Sequence, residues 1–317
     1  MLDPKTLSML GQSAAMFDVV LNEAIKQHPE IIFLSADMAS AAQADRFKAA
    51  YPQKFFNMGI CEQNMIGTAA GLCDDGYKTI AAAQACFITM RCFEQVRQFV
   101  GYMATNQILV GFGSGFSLGM MGNTHYAIED MALMRIIPNM TVVAPCDALE
   151  AAKAMEAAIA YGKPIYIRLF GGPGMPIVHN SDIDFEIGKA IQLREGRDVQ
   201  LIATGSMVHN ALQAAEMLEA EGVSASVVDM HTVKPIDESA IGNDFKLIVT
   251  IEEHLPVGGL GDAVADVLLH RPSHPSLLKL GISRPNEQVG DTDYLLDYNG
   301  LSPQAIHHSI LNRLAGI

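Results

Sequence analysis

One carboxylic acid stands in an otherwise apolar stretch and is the residue best suited to acid–base chemistry. Glu62 follows a turn at Gly59 and opens a run, Glu62–Leu72, in which apolar residues recur at helical spacing. Such surroundings disfavour the charged form of a carboxylic acid and so provide a proton donor at neutral pH. Acids are also common in the first turn of helices, where they complement the partial positive charge. The position alone leaves both interpretations open.

Other candidate groups are scattered along the chain. His125 follows a loop rich in glycine and methionine at residues 111–123, and Asp37 follows the apolar run Ile31–Ser35. Ligands of parallel sheets bind at the carboxyl ends of strands, although a loop or helix-cap role is the simpler interpretation of Asp37. The cysteines lack the paired spacing of zinc ligands, and no carboxylate cluster suits a hard cation, so we predict no metal ligand in this chain. The five cysteines are Cys61, Cys73, Cys86, Cys92 and Cys146.

The sequence around Glu62 closely resembles a known motif. The string GICEQNMIGTAAGL at residues 59–72 is similar to the pyrimidine-domain motif of the transketolase family of thiamine-diphosphate enzymes. In that family the glutamate bonds the aminopyrimidine ring of the cofactor and drives its imino tautomer, which deprotonates the thiazolium carbon. The resemblance implies this cofactor-binding and catalytic role for Glu62.

Two further segments carry the resemblance. Residues 82–97 resemble the family pattern TFAAFLTMRAFDQIR, which implies that Phe87 packs on the pyrimidine ring. The first aromatic residue of that pattern is Gln84 here, a departure that weakens the aromatic pocket or puts an amide where a ring usually lies. The string THYAIED at residues 124–130 resembles the segment GEDGPTHQPIED and implies that His125 lies near the thiazolium and the substrate oxygen. The resemblance also implies that Asp37 approaches the cofactor and Arg168 the substrate.

The predicted elements alternate between strands and helices. We predict strands at 31–35, 55–58, 78–85, 107–111, 165–169, 200–203, 226–229, 246–252 and 277–282, and helices at 14–27, from 62 to a break at 74–76, at 86–104, 147–161 and 208–221, and one ending at 269. This alternation predicts an α/β protein of two domains, each a mostly parallel sheet flanked by helices. With the resemblance, residues 1–172 form a pyrimidine-binding domain, 173–192 a linker and 193–317 a transketolase-like C-terminal domain.

Composition excludes several classes of protein. At 317 residues the chain exceeds a typical single core, and with half its residues hydrophobic and 18% charged it belongs to a well-buried globular class. A formal net charge of −14 without a basic cluster argues against nucleic-acid binding. We see no stretch suited to crossing a membrane and no signal-type apolar segment at the N-terminus. Together with the odd cysteine count, this predicts a cytoplasmic protein.

A segment that transketolases need is absent from the sequence. The family's diphosphate-binding domain begins with Gly-Asp-Gly, and this string does not occur in the chain. The resemblance therefore implies the C-terminal half of a split transketolase. An N-terminal subunit would carry the diphosphate-binding domain and hold Mg²⁺, and a homodimeric core would give an α2β2 assembly.

The residues that grip a sugar phosphate in transketolases are also replaced. Ala14, Ala41 and Gly171 stand where the family has Arg, Ser and Arg, and Gly113 and Met121 where it has His and Asp. A phosphate needs charge-assisted donors. The resemblance implies transfer of a two-carbon ketol unit from a ketose to an aldehyde. Either the substrate is an unusual ketose or 2-oxo compound, such as an unphosphorylated one, or the partner chain supplies the phosphate contacts.

Two alternatives stay open. The β subunit of a 2-oxo acid dehydrogenase and deoxyxylulose-phosphate synthase share the glutamate and the domain order, although the strings around Arg91 and His125 favour transketolase. A non-catalytic scaffold or regulatory subunit would keep the fold and lose the site, but retention of Glu62 and His125 argues against it. His254, in the string Glu-Glu-His, matches a family pattern to which we assign no role.

Overall fold

The computed structural model describes residues 3–285 and 287–317, which form two sheets covered by helices. The strands are β1 Ile31–Ser35, β2 Phe55–Asn57, β3 Lys78–Gln84, β4 Gln107–Phe112, β5 Thr141–Val143, β6 Ile165–Leu169, β7 Ile191–Arg194, β8 Val199–Ala203, β9 Ala225–Asp229, β10 Thr232–Lys234, β11 Leu247–Ile251 and β12 Ser276–Leu280. The α-helices are α1 Pro4–Leu10, α2 Gln12–Ala14, α3 Leu21–Ala24, α4 Asp45–Ala50, α5 Glu62–Asp74, α6 Phe93–Gln95, α7 Asp130–Arg135, α8 Ala148–Tyr161, α9 Met207–Ala220, α10 Leu260–Leu269, α11 Thr292–Tyr298 and α12 Pro303–Leu314.

Six further segments in the described residues are wound differently from an α-helix and matter for the comparison with the sequence. Ala15–Val20, Phe87–Arg91 and Val96–Tyr102 are π-helical, and Pro52–Lys54, Gly119–Met121 and Glu238–Ala240 are 3₁₀-helical. The predicted continuous helices at 14–27 and 86–104 are therefore broken into short α and π turns. Apolar spacing over a few turns cannot separate 3.6 residues per turn from the wider π winding.

The first sheet has seven strands in the order β10-β5-β6-β4-β3-β1-β2. Its strands pair in parallel except at one edge, where β10 runs antiparallel to β5. Strand β10 comes directly after β9 in the chain, and β9 belongs to the second sheet. The C-terminal part of the chain therefore provides the edge strand of the first sheet. The strands β1, β3, β4 and β6 are buried almost throughout, as a parallel sheet covered on both faces requires.

The second sheet has five strands in the order β12-β11-β8-β9-β7. All pairs are parallel except β7 with β9. The predicted fold class, two mostly parallel sheets flanked by helices, is confirmed. The predicted C-terminal strands are β8, β9, β11 and β12, while β7 and β10 were not predicted. Each of these two is three or four residues long and lies at a sheet edge.

The two domains share part of their apolar core. Met65 of α5 and Val96 of the neighbouring π turn belong to the same buried cluster as Leu260 and Val264 of α10. The opposite face of the first sheet is covered by the N-terminal helices and α8, with Phe17 stacked on Phe33 at a ring distance of 4.8 Å. This arrangement fixes the carboxyl edge of the first sheet, where the loops after β1, β2, β3 and β4 emerge. Among the described residues, no helix has both the length and the apolar character needed to cross a bilayer.

Candidate active site

Glu62 is the first residue of α5 and its side chain is only 2% exposed. Both carboxylate oxygens accept hydrogen bonds from Nη1 of Arg91, at 2.7 and 2.8 Å. Arg91 ends the π-helical turn that follows β3, and its side chain is 42% exposed. The prediction of apolar surroundings for Glu62 needs one correction: the acid is buried, but its carboxylate is paired with a guanidinium.

The same guanidinium also lies against an aromatic ring. The guanidinium carbon of Arg91 is 3.9 Å from the centroid of the Phe87 ring. The two residues are four apart in one helical turn, a spacing that places their side chains on the same side. The Phe87 ring meets the imidazole of His125 edge-on, with 5.5 Å between the ring centroids. Glu62, Arg91, Phe87 and His125 therefore form one continuous series of contacts.

Arg91 provides a test of whether these residues fit an aminopyrimidine ring. A guanidinium is flat and cationic, stacks on aromatic faces and donates N–H hydrogen bonds to carboxylates. An aminopyrimidine ring is also flat and presents ring nitrogen and amino groups. The Arg91 guanidinium stands in for such a ring, since it lies between the Glu62 carboxylate and the Phe87 face. The carboxylate and the aromatic face have the chemistry that a pyrimidine ring needs.

His125 lies in the loop that leads into α7. It is half-buried, its Nδ1 is 2.9 Å from the Thr124 hydroxyl, and its backbone N–H donates to the carbonyl of Gly122. Gly122 has φ +77°, a conformation that L side chains rarely adopt, so the turn that places His125 next to Phe87 depends on this glycine. An imidazole held beside the Phe87 ring can donate a proton to a bound substrate or accept one from it.

Asp37 lies at the carboxyl end of β1 and is exposed, with φ +59°. Its carboxylate accepts a hydrogen bond from the Asn57 side chain at 2.8 Å. The Asn57 side-chain oxygen in turn accepts from the backbone N–H groups of Asp37 and Gly59, at 3.0 Å each. Asn57 therefore couples Asp37 to the turn that precedes Glu62. Asn57 stands two residues before the quoted motif, but the sequence analysis assigned it no role.

Gln84 ends β3 and lines a cleft of about 330 Å³. The side chain is 9% exposed, and its Oε1 has no hydrogen-bond partner among the described residues. The cleft is also lined by Ala41, Gly113 and Gly171, three of the positions at which the family's sugar-phosphate ligands are replaced. Among the described residues that line it, none carries a charge. A neutral cleft with a free amide oxygen suits a ligand that donates hydroxyl hydrogen bonds.

Arg168 is placed differently from its predicted role as a substrate contact. Its side chain is only 2% exposed, and its Nε donates to both carboxylate oxygens of Asp130, at 2.8 and 3.1 Å. Its Nη2 donates to the backbone carbonyls of Ala127 and Glu253. A guanidinium enclosed in this way cannot contact a substrate in the cleft. We assign Arg168 a structural role, which holds the loop of His125 against the second sheet.

The string Glu252-Glu253-His254 has a structural position that the sequence did not reveal. Glu253 accepts from the backbone N–H of Phe116 and from the Ser206 hydroxyl, at 2.6 Å each. Glu252 accepts from the first N–H groups of α10. Burial raises the pKa of both carboxyls to about 7, and burial lowers the pKa of His254 to about 4. These three residues join the glycine-rich loop and α7 to the second sheet.

A parallel sheet with a buried acid facing an aromatic ring at its carboxyl edge, followed by a second α/β domain, is the architecture of the two-domain enzymes that bind an aminopyrimidine cofactor. Residues 12–170 match the family described as transketolase, pyrimidine binding domain, and residues 188–306 the family described as transketolase, C-terminal domain. The chain belongs to the transketolase family.

Three relatives match almost the whole chain. The putative transketolase C-terminal section of Methanocaldococcus jannaschii is 38% identical over 290 residues, which cover 91% of this chain and 92% of that protein. The 6-deoxy-6-sulfo-D-fructose transketolase subunit of a Clostridium species is 38% identical over 290 residues, with 90% and 89% covered. A solved structure described as split gene transketolase, inactive beta4 tetramer, is 38% identical with a TM-score of 0.87, and 96% and 98% of the two chains are covered.

Proposed function

We propose that this chain is the cofactor-activating subunit of a split thiamine-diphosphate-dependent transketolase that moves a two-carbon ketol unit from a ketose to an aldehyde. The observation that carries the proposal is the pairing of the buried Glu62 carboxylate with the Phe87 ring across a single flat cation. When bound, thiamine diphosphate supplies the carbanion-stabilising chemistry of the transfer.

The residues of this chain have separate tasks in the proposed reaction. Glu62 holds a proton at a ring nitrogen of the pyrimidine, and Phe87 supports the face of the ring. His125 holds or accepts a proton at the substrate oxygen, which it can do from its half-buried position beside Phe87. Asp37 and Gln84 lie at the carboxyl ends of β1 and β3, towards which the cofactor is expected to extend.

Arg91 must leave its position for this site to form. Its guanidinium uses both oxygens of Glu62 and covers Phe87, which are the two groups that the pyrimidine needs. The side chain is long, and 42% of it is exposed, so it can turn towards solvent without disturbing the core. Displacement of Arg91 is therefore the first step of cofactor binding on this chain.

A partner subunit completes the proposed enzyme. Gly-Asp-Gly is absent from this chain, so an N-terminal subunit would supply the diphosphate-binding domain and the Mg²⁺. Large apolar side chains are exposed near the start of α5 and on the π turn of Arg91: Phe56 is 45% exposed, Ile60 71% and Met90 37%. We propose that these side chains form part of the interface with that subunit. We further propose an α2β2 complex in the cytoplasm, acting in carbohydrate metabolism.

The cleft beside Gln84 favours a sugar that is not gripped through a phosphate. The described residues that line it carry no charge, whereas a phosphate requires charge-assisted donors. One relative is described as acting on a sulfonated ketose and another on apulose 4-phosphate, so related transketolase subunits differ in substrate. We propose that this chain contributes a neutral acceptor cleft, which suits an unphosphorylated sugar or a sugar whose anionic end is held by the partner chain.

The test is reconstitution with the partner subunit, recovered by pull-down as a chain with the Gly-Asp-Gly domain. We expect the complex to bind thiamine diphosphate and transfer ketol units, and Glu62→Gln to lower kcat by about 10²–10⁴-fold with the fold intact. Asn64→Ala, at an exposed position two residues further along α5, is the matched control. A complex that binds no cofactor, or that stays fully active with Glu62→Gln, would favour the scaffold alternative.

Free sugars and sugar phosphates should then be compared on the active complex. A preference for free or sulfonated sugars supports the neutral cleft. Ordinary turnover of xylulose 5-phosphate and ribose 5-phosphate would count against it, while the proposed transketolase activity itself would stand.

A further inference from the structure

Four buried side chains with metal-ligating atoms meet where the two domains join. Cys146 follows β5, Glu150 lies on α8, His179 lies in the linker and Asp229 ends β9 of the second sheet. All four are at most 5% exposed. They share no residue with the site around Glu62. The transfer reaction therefore does not account for this cluster.

The distances within the cluster are longer than hydrogen bonds between charged groups. His179 Nε2 lies 3.4 Å from Asp229 Oδ2 and 3.7 Å from Glu150 Oε1, and all four ligand atoms lie within 4.8 Å of one another. A charge-assisted N–H···O bond is about 2.7–2.9 Å long. The ligands of a tetrahedral ion with bonds of about 2.0–2.1 Å stand about 3.3–3.4 Å apart. The observed separations are closer to those between the ligands of one ion.

Two carboxylate oxygens of the cluster lack partners. Glu150 Oε1 and Asp229 Oδ1 are buried and have no hydrogen bond among the described residues. A buried charged oxygen without a partner is costly, and a cation satisfies it.

The surrounding hydrogen bonds hold the four side chains in place. The second oxygen of Glu150 accepts from the backbone N–H of Cys146 at 2.6 Å. Asp147 Oδ2 accepts from the backbone N–H groups of Val178 and His179, at 3.0 and 2.9 Å, which fixes the linker next to α8. Orienting bonds of this kind around the ligands are a regular feature of metal sites.

We propose that Cys146, Glu150, His179 and Asp229 bind one divalent first-row transition ion, with Zn²⁺ as the best match, and that this ion ties the two domains together. A set of one thiolate, one imidazole and two carboxylates suits Zn²⁺ in four-coordinate geometry. Binding of the ion displaces the thiol proton of Cys146 and a proton of His179. Two protons therefore leave as two positive charges arrive, and the net charge of the buried cluster is unchanged.

The test uses the full chain stripped with a chelator and titrated with Co²⁺, whose visible and near-ultraviolet absorption reports tetrahedral geometry and thiolate ligation. We expect one ion per chain, a thiolate charge-transfer band, displacement of Co²⁺ by Zn²⁺, and a higher Tm with the ion. Cys146→Ser should remove the charge-transfer band and weaken binding at least tenfold, and Asp229→Asn should weaken binding with the band retained. Cys73→Ser, at a half-buried thiol outside the cluster, is the matched control.

Three results would overturn the proposal. The first is that the wild-type chain takes up no stoichiometric amount of ion, and the second is a Co²⁺ spectrum without the thiolate band. The third is that the Cys146→Ser and Asp229→Asn variants bind the ion as tightly as the wild-type chain does. In each case the cluster would be an ion pair between an imidazolium and two carboxylates. Because the readouts are metal content, absorption and Tm, the outcome does not depend on the proposed transketolase activity.

Discussion

Two arginine–carboxylate pairs of this molecule have nearly the same chemistry and different consequences. Arg168 and Asp130 are 2% and 0% exposed, and the Arg168 guanidinium also binds two backbone carbonyls. Arg91 and Glu62 are 42% and 2% exposed, and the Arg91 guanidinium otherwise lies on the Phe87 ring. One pair is enclosed by the fold, and the other has one partner free to turn into solvent.

The difference shows why residue type does not identify a functional pair. Arg168 stands at the end of a strand where a substrate contact is expected, yet its hydrogen bonds go to protein groups. In the sequence nothing distinguishes Arg91 from the other residues of its predicted helix. In the structure its guanidinium contacts Glu62 and Phe87, the two side chains that we propose bind the cofactor. The surroundings of each guanidinium determine whether its pair is sealed within the fold or has one partner in reach of solvent.

The largest expected effect is on the enclosed pair. Arg168→Met leaves the buried Asp130 carboxylate without its partner, and we expect a loss of about 3–5 kcal/mol in the free energy of unfolding. Denaturant unfolding of the full chain measures this. The double variant Arg168→Met with Asp130→Asn should recover part of the loss, because no unpaired charge remains. If Arg168→Met costs less than about 1 kcal/mol and instead impairs substrate binding, the assignment of the two pairs must be reversed.

The enclosed region should also carry the pH dependence of stability. Burial raises the pKa of Glu253 to about 7, so the folded chain retains a proton that the unfolded chain loses near the ordinary value of 4.5. This contribution is full below pH 4.5 and is lost as the pH rises through 7, by about 2 kcal/mol between pH 5 and 8. Unfolding free energies at pH 5, 6, 7 and 8 measure it.

Two variants separate Glu253 from its neighbours. Glu253→Gln keeps an acceptor for the Phe116 N–H and cannot ionise, so its stability should fall less between pH 5 and 8. Glu219→Gln, on the exposed face of α9, should leave the profile as in the wild-type chain. His254, whose pKa burial lowers to about 4, acts in the opposite direction, since its contribution is lost as the pH falls from 6.5 towards 4. A profile unchanged by Glu253→Gln would contradict the assignment.

The alternation of strands and helices could be predicted because each long element carries its own periodicity. The buried strand Ile31–Ser35 and the helix from Glu62 were predicted at bounds close to those observed. The edge strand Thr232–Lys234 could not be predicted, because three residues carry too little pattern and its pairing with Thr141–Val143 joins segments far apart in the chain.

The candidate site was predictable only in part. The resemblance pointed to Glu62, Phe87 and His125, and the structure brings these three side chains together through Arg91. Their roles stay predictions. The contact of Arg91 with Glu62 joins two elements that are 29 residues apart in the chain, which local apolar spacing cannot reveal. The cluster around His179 joins segments that only the tertiary fold brings together.

The smallest expected effect belongs to the accessible pair, and it tests whether Arg91 competes with the cofactor. Arg91→Met removes the guanidinium from Glu62 and Phe87, and we expect a loss of about 1 kcal/mol in the free energy of unfolding. This is less than for Arg168→Met because the Arg91 side chain is 42% exposed, so that water can replace it at the Glu62 carboxylate. Because no guanidinium then has to leave Glu62 and Phe87 before the cofactor binds, the reconstituted complex should bind thiamine diphosphate about fivefold more tightly.

Calorimetric titration measures this affinity, and Arg97→Met, which breaks the exposed pair with Glu94, is the matched control. Weaker binding by Arg91→Met would mean that the guanidinium contacts the bound cofactor and does not merely occupy the cofactor position in the free chain. Arg91 would then join Glu62 as a binding residue, and the contrast with Arg168 would be one of location alone.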